Sequence, residues 1–524
     1  MNRITGIAIL SVLISSSALA QNSGQISGSL ESNTHYYLRD DLLLIPEPEN
    51  PLASNNYLNL QYNNGPFSGA LQYEAYMPPL SGYPYQLEGN RLTYLNFRYS
   101  KEVIDVTAGS FYEQFGNGLI LRAYESRELG INNAVNGVRV IIKPVKFLRI
   151  TGILGKPRSY LDISSSYLRG FNTELDLGEV MKTKLGLKLG GGFMNRYQEY
   201  TGPAFNFPAS VNAYSLRLSA NYSNIDIETE YANKGIDPSI ANLYSMATGG
   251  AFLVNGNYTA GGFGIFVSTR FLKSMDFRSE RESDGNYMLI NYLPANTWQH
   301  TTLLGGIYPY STQVKGEASI QTDINYSLLK GTILGGRYGT KLRFGFSHVR
   351  NLKDTNSPVL ISFGNQVYYQ DLTFEITRKW SPSVKTITSL TALKYDKAVI
   401  EYPGADFVKA IILNAESQIR ISTTFSLRTE LQHLWTKQDD GNWIAGLAEL
   451  GLAPHLSLFV SDMWNYRNEG DKAHYYNSGI SFSTDYMRIS TGYGRQREGL
   501  ICAGGVCQRV PAYRGFNLKL TVNF

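Results

Sequence analysis

Through nearly its whole length the chain alternates apolar and polar side chains with a period of two. Across 214–222, Tyr214, Leu216, Leu218, Ala220 and Tyr222 fall on one face and Ser215, Arg217, Ser219 and Asn221 on the other. The same division runs through 225–231, 318–326, 341–347 and 407–421. Successive side chains of a strand point to opposite sides, so each stretch is a strand with one apolar and one polar surrounding. About 24 such segments are present, centred near residues 30, 60, 71, 95, 106, 140, 151, 173, 189, 218, 229, 253, 267, 322, 344, 373, 391, 414, 430, 447, 460, 480, 490 and 519.

A segment every 20 residues or so suits membrane strands of about ten residues plus a connection. The connections alternate in length. Short ones include 63–66, 143–146, 222–224, 453–455 and 484–485, and between them lie long ones at 40–55, 78–90, 111–133, 156–168, 201–212, 273–315, 350–366 and 496–513. A soluble sandwich has no reason to alternate so regularly. The pattern predicts an all-β fold, a transmembrane antiparallel up-and-down β-barrel of about 24 strands (roughly 22–26), with short turns on the periplasmic side and long loops outside. A hairpin within 295–310 would add or remove two strands. An even count places both termini in the periplasm. Tyr36, Tyr62, Tyr73, Tyr76, Tyr222, Tyr231, Phe271, Trp435 and Trp464 lie near strand ends, where aromatic belts at the lipid–water boundary are expected.

The ends agree with an exported barrel. Arg3, the apolar run 7–14 and Ala18-Leu19-Ala20 read as an export signal over residues 1–20, with Gln21 as the new N-terminus and 21–524 as the barrel domain. The run is too short to span a bilayer as a helix. No cysteine follows the cleavage site, as a lipoprotein anchor would require. At the other end Phe516, Leu518, Leu520, Val522 and Phe524 oppose Asn517, Lys519, Thr521 and Asn523. This last strand resembles the terminal signal read by the assembly machinery of bacterial outer-membrane barrels. That machinery and outer-membrane lipid are therefore expected partners, with outer-membrane lipoproteins as further ones. Cys502 and Cys507, the chain's two cysteines, are spaced for a disulfide closing a tight loop in an exported protein. A metal site would need further ligands nearby.

Other classes are disfavoured. No apolar run of about 18 residues follows the signal, which excludes a helical membrane protein. A net charge of +5 over 524 residues does not point to nucleic acid. No nucleophile elbow, phosphate loop or paired-histidine zinc motif occurs, so no enzyme activity and no cofactor is expected. Ser347 and His348 are adjacent on a strand, point to opposite faces and cannot form a catalytic pair. His348 and His433 fall on the outward face. No plug domain precedes the first strand, which argues against active siderophore uptake.

The polar face carries Glu74, Arg98, Arg139, Arg149, Glu174, Asp176, Lys184, Lys188, Arg217, Glu228, Glu230, Arg270, Asp323, Lys341, Arg343, Asp371, Glu375, Glu416, Arg428, Glu430 and Arg488. A lipid-facing Arg or Lys costs about 2–4 kcal/mol at mid-bilayer, so these belong inside. The mixed signs fit a lumen bridged by its own salt links, not a strongly ion-selective pore. The stretch 109–137 breaks the strand pattern: it is too long, carries glycines at 109, 116, 118, 130 and 137, and gathers Arg122, Glu125, Arg127 and Glu128. It is expected to fold inward from the external end as a constriction, with Glu113, Arg122, Glu125, Arg127 and Glu128 facing charged walls and 125–128 forming a helical turn. The stretch 275–316 is a second candidate for the barrel mouth.

The run Glu113-Gln114-Phe115-Gly116-Asn117-Gly118-Leu119, with Leu121–Glu125 and Leu129–Asn133 after it, resembles an outer-membrane family of the Bacteroidota with no assigned activity. Tyr308-Pro309-Tyr310 and Lys315-Gly316-Glu317 are similar too. The resemblance implies a compartment and no mechanism. The expected function is a porin-like channel or solute transporter narrowed by the 111–133 loop. The alternatives are a plugged structural barrel within an outer-membrane complex and, least favoured, an outer-membrane hydrolase.

Overall fold

In the computed structural model the described residues are 24–200, 207–283, 285–353, 361–467 and 472–524. The export signal expected at 1–20 lies outside them, as do parts of the loops at 201–212 and 350–366. Twenty-four strands form one closed antiparallel barrel. The first eight are Gln25–Leu38, Leu52–Asn64, Phe67–Tyr76, Gly89–Ser100, Ile104–Phe111, Val135–Val145, Leu148–Ser159 and Tyr167–Asp176. The next eight are Gly186–Tyr197, Ser210–Tyr222, Ile225–Lys234, Gly249–Ala260, Phe263–Lys273, Gly316–Leu328, Thr340–Arg350 and Val367–Lys379. The last eight are Val384–Asp396, Phe407–Arg420, Phe425–Thr436, Trp443–Leu452, Leu456–Asn465, His474–Ser483, Met487–Gln496 and Tyr513–Asn523. Each centre expected from the sequence falls inside one of them.

Each strand pairs with its neighbours in sequence, and the ring closes between first and last. Gln25–Leu38 pairs with Tyr513–Asn523 from Ser29↔Asn523 to Leu38↔Arg514. The amide of Gly28 donates to the carbonyl of Phe524 (2.8 Å), and the Phe524 amide returns a bond to Gly28 (3.0 Å). A closed ring leaves no strand edge at its seam, as a wall in a medium without water requires.

One face of the wall is apolar and exposed, the other polar and covered. In Ser210–Tyr222, Tyr214, Leu216 and Leu218 are exposed, while Ser215 and Arg217 are buried. Inward charges meet partners across the strands: Arg217 with Glu230 (3.8 Å), Arg270 with Glu317 (2.8 Å), Arg343 with Asp323, and Arg428 with Glu416 (3.1 Å); Arg428 also pairs with Glu430 of its own strand (2.6 Å). Most expected inward charges lie on this face. Lys184 does not: it lies between strands, in the connection after the short helix Leu177–Met181. In the aromatic belt, Tyr76 is a correction. It shares the face of Glu74, and its hydroxyl donates to Glu74 (2.8 Å) inside the barrel. Strand parity places it there. Phe271 is covered by Phe252 and Phe363, although it lies on the outer side.

The connections alternate as expected, with both described strand termini at the short end. Turns such as 65–66, 146–147, 223–224 and 261–262 have two residues. At that end 177–185 and 329–339 are longer than the pattern suggests. The stretch 295–310 adds no wall strand. It holds the one-turn helix Gly305–Ile307 and lies inside the ring.

The wall is thin at one seam. Gly89–Ser100 pairs with Phe67–Tyr76 along its length, but with Ile104–Phe111 only from Asn96↔Gly109 to Ser100↔Asp105. Residues 89–95 thus have no strand beside them on that side. Side chains bridge the gap instead. Arg158 makes a bidentate pair with Glu74 (2.6 Å to each oxygen), and Arg91 pairs with Asp162.

Candidate functional site

The thin seam arises because Ile104–Phe111 leaves the wall. Gly109 has φ +101°, and a Cβ on it would come within 2.2 Å of the Leu95 carbonyl oxygen. Only glycine combines that dihedral with such close backbone contact. Beyond Phe111 the chain enters the lumen and does not return until Val135.

The inward loop is gripped by apolar contact. Phe115, Leu119, Ile120 and Leu121 are buried against Ile153, Leu168, Met194 and Val211 of the wall, where Ala213, Ala232 and Ala251 supply the room. A tight turn holds its tip: Phe115 and Leu121 share a backbone bond (3.1 Å), as do Gly118 and Phe115 (3.0 Å). The Asn117 amide donates to Glu230 (2.8 Å) and its side chain to Glu228 (3.0 Å).

A second loop, 274–315, lies on the first. Arg122 N–H donates to the Ile290 carbonyl (2.8 Å) and Tyr292 N–H to that of Gly118 (2.9 Å). Its later half crosses the lumen. Trp298 lies over the Arg343 guanidinium (3.7 Å), and its amide donates to Ser347 Oγ (2.9 Å). Leu304, Tyr308 and Tyr310 are buried against Tyr369, Tyr395 and Trp443 of the opposite wall. The hairpin Gly499–Ala503/Val506–Val510 braces this loop from outside. Its Cys502–Cys507 disulfide is present (S–S 1.97 Å), and the Gly504 and Gly505 carbonyls accept from Tyr292 Oη (2.5 Å) and Ala295 N (2.7 Å).

The five residues singled out from the sequence are spread along the first loop. Glu113 stands 3.6 Å from Arg139 of the wall. Arg122 meets no carboxylate among the described residues. Its guanidinium sits in the corner of two edge-to-face rings, 3.6 Å from Tyr292 and 4.8 Å from Tyr124. Glu125 accepts from Gln72 (2.8 Å) and Arg127 (3.3 Å). Arg127 pairs with Glu31 of the first strand and lies over Tyr57 (4.4 Å). Glu128 is exposed. The helical turn expected at 125–128 is absent: Glu125–Ser126 pairs with Ile131–Asn132 as a small hairpin. The apolar residues that seat the loop were not among the candidates, although Leu119-Ile120-Leu121 within a glycine-rich polar stretch was a visible signal.

Burial and neighbouring charge set the protonation of these groups. Burial raises the Glu113 carboxyl above its usual range, against the pull of the Gln114 amide, Arg139 and Arg149. Burial alone would weaken the Arg127 cation, but Glu31 and Glu125 more than offset it and raise its pKa. Burial, with Tyr292 beside it, pushes the Tyr124 hydroxyl up to about 12. No metal-binding cluster occurs among the described residues.

The two loops fill the side of the lumen bounded by strands 135–273 and 340–445. They leave a cavity of about 940 Å³ along the seam where the ring closes. Its upper lining includes Ser81, Cys502 and Pro511, and its lower lining Ser457, Arg488 and Thr521 near the short-turn end. Arg127 and Glu128 form its inner side. Acidic Glu31, Glu128 and Glu449 are matched in number by Arg127, Arg488 and Lys519.

Solved structures overlap this barrel over nearly all of its length. The P pilus usher (PapC) translocation pore is 10% identical, with a TM-score of 0.44, over 95% of this chain and 99% of that one. The siderophore receptor PirA from Pseudomonas aeruginosa is 10% identical with a TM-score of 0.41, over 96% and 81%. The copper transporter OprC is 11% identical with a TM-score of 0.40, over 96% and 81%. No curated protein matches the sequence. Residues 1–524 match the model of the family of unknown function DUF6029, and the chain belongs to that family.

Proposed function

We propose that this protein is an outer-membrane channel through which small polar solutes pass along the ring-closing seam, narrowed by the inward loop 112–134. The cavity of about 940 Å³ carries this reading, because its lining runs from the external loops to the short-turn end and most of the residues lining it are polar. In this reading the short turns and both termini face the periplasm. Arg127 and Glu128 edge the path, and the even balance of charge gives little selectivity for ion sign. No catalytic role is assigned.

A second reading is a plugged structural barrel acting as a component of an outer-membrane complex. The observation in its favour is the dry packing of the two loops against the wall. Single-channel conductance of the refolded protein in planar bilayers separates the two. Steady conductance from the intact protein, rising when residues 112–130 are removed, supports the channel. Silence from the intact protein with large openings after the removal supports the plugged barrel. Silence from both overturns the channel.

A further inference from the structure

We infer that the short-turn rim carries a binding site for an anionic phospholipid, built by the connection 329–339 with Arg378 and Trp380. The inference rests on the barrel lying in a bilayer, but not on whether its lumen conducts.

Most turns at this end have two to four residues, whereas 329–339 is long and folds back on the outer wall. Thr340 Oγ1 donates to the Gly335 carbonyl (3.1 Å). A Cβ on Gly336 would lie 3.2 Å from the Arg378 guanidinium. Arg378 is paired with Thr340 and shares the outward face of Phe374 and Ile376. The connection therefore sits on the perimeter of the barrel, where lipid begins.

Its tip is apolar and uncovered: Ile333 is 95% exposed, Leu329 74% and Leu334 69%. Trp380 is exposed beside it, 4.4 Å from the Arg378 guanidinium. Aliphatic side chains left in water at the rim have a natural surrounding in the acyl-chain boundary, with an indole at headgroup level.

The charge around this tip has one sign. No Asp or Glu occurs in 324–353, 376–395 or 417–429, which together supply Lys330, Arg337, Arg378 and Lys379 at this rim. Elsewhere at the same end acids are interspersed, as Glu102, Glu179, Asp226 and Asp485. Guanidinium and ammonium groups flanking an apolar tip match a phosphodiester above its acyl chains, and the planar guanidinium can hold two phosphate oxygens at once. A lipid with net negative charge fits better than a zwitterionic one, whose own ammonium competes for the phosphate.

The test uses the full chain, folded in detergent and titrated separately with phosphatidylglycerol and phosphatidylcholine, with bound lipid counted by native mass spectrometry. Phosphatidylglycerol should be retained in preference. The variant Lys330→Gln/Arg337→Gln/Arg378→Gln should lose that preference by at least about tenfold, since each cation near the surface adds to the attraction toward an anionic lipid. Equal retention of both lipids, or an unchanged preference in the variant, overturns the site. All three changes are at the rim, and heat-modifiable gel mobility checks that the variant still folds. Lys330→Glu/Arg337→Glu, which leaves Arg378 and its Trp380 contact in place, should lose the preference as well. Flotation with liposomes tests the bilayer reading separately. A chain that floats without lipid preference loses only this site, and one that does not float loses the membrane assignment.

Discussion

Arg127 has a Glu31 carboxylate from the wall on one side, Glu125 of its own loop on another, and the Tyr57 ring beneath it. Its side chain is 26% exposed and that of Glu31 35%, so solvent screens part of the attraction. Arg127→Ala should therefore cost the loop only about 1 kcal/mol, yet it removes the bulk that edges the cavity. Single-channel conductance should rise while the barrel's heat-modifiable mobility stays unchanged. Phe115→Ala acts differently. Phe115 is fully buried at the loop's seat, and truncating such a ring costs about 3–5 kcal/mol. Amide exchange across 112–134 should speed up sharply while the wall strands keep their protection. Glu113 adds a pH dependence. Its folded pKa is raised, so its contribution to docking is full below the usual carboxylate pKa and is lost as pH rises through the elevated one. Arg139, Arg149 and Glu174 face the same carboxylate. Loop protection should thus increase on mild acidification, and Glu113→Gln should flatten that increase. Equal protection at both pH values in the wild-type protein would count against it.

At the scale of elements the strands were legible because lipid and lumen impose opposite chemistry on alternate residues, as Leu216 and Arg217 show. That signal survives without any knowledge of neighbours. What happens inside the ring leaves a weaker trace. The inward course of 109–137 could be read from its glycines, but its partners could not: Arg122 was expected to meet a carboxylate and lies instead over two tyrosines, one of them, Tyr292, on a loop far along the chain. Pairings of that range follow from ring closure, not from local pattern. Tyr76 is the opposite case: local parity alone places it inside beside Glu74, and the belt expectation overrode it. The thin seam follows from this departure of a strand. Its residues 89–95 have a wall neighbour on one side only, so their amides should exchange faster than those of Asn96–Ser100 in the same strand. Asp162→Ala, which removes the partner of Arg91 across the gap, should speed that exchange further. Uniform protection along Gly89–Ser100 would show that the side-chain bridge already seals the wall.

At the scale of the whole molecule, 24 strands make a ring too wide for side chains to fill, so its interior must hold solvent or chain. This protein uses chain on one side and leaves a cavity on the other, along the seam where the first and last strands meet. Ring closure and the proposed conduction path would therefore share one junction. Phe524 contributes to it in two separable ways. Its backbone exchanges two hydrogen bonds with Gly28, and its ring packs over that glycine, where a Cβ would lie 2.6 Å from the ring. Deleting 522–524 removes both and should prevent closure even in detergent, seen as loss of the compact, heat-modifiable gel form. Phe524→Ala keeps the backbone bonds. If the aromatic end serves mainly as the signal read by an assembly machinery, this variant should refold in detergent as the wild type does but reach the outer-membrane fraction of cells poorly. Failure in both settings would assign the ring to closure itself. Normal insertion in cells would remove the terminal phenylalanine from any role in recognition and leave the alternation of Phe516, Leu518, Leu520 and Val522 as the part of the last strand that matters.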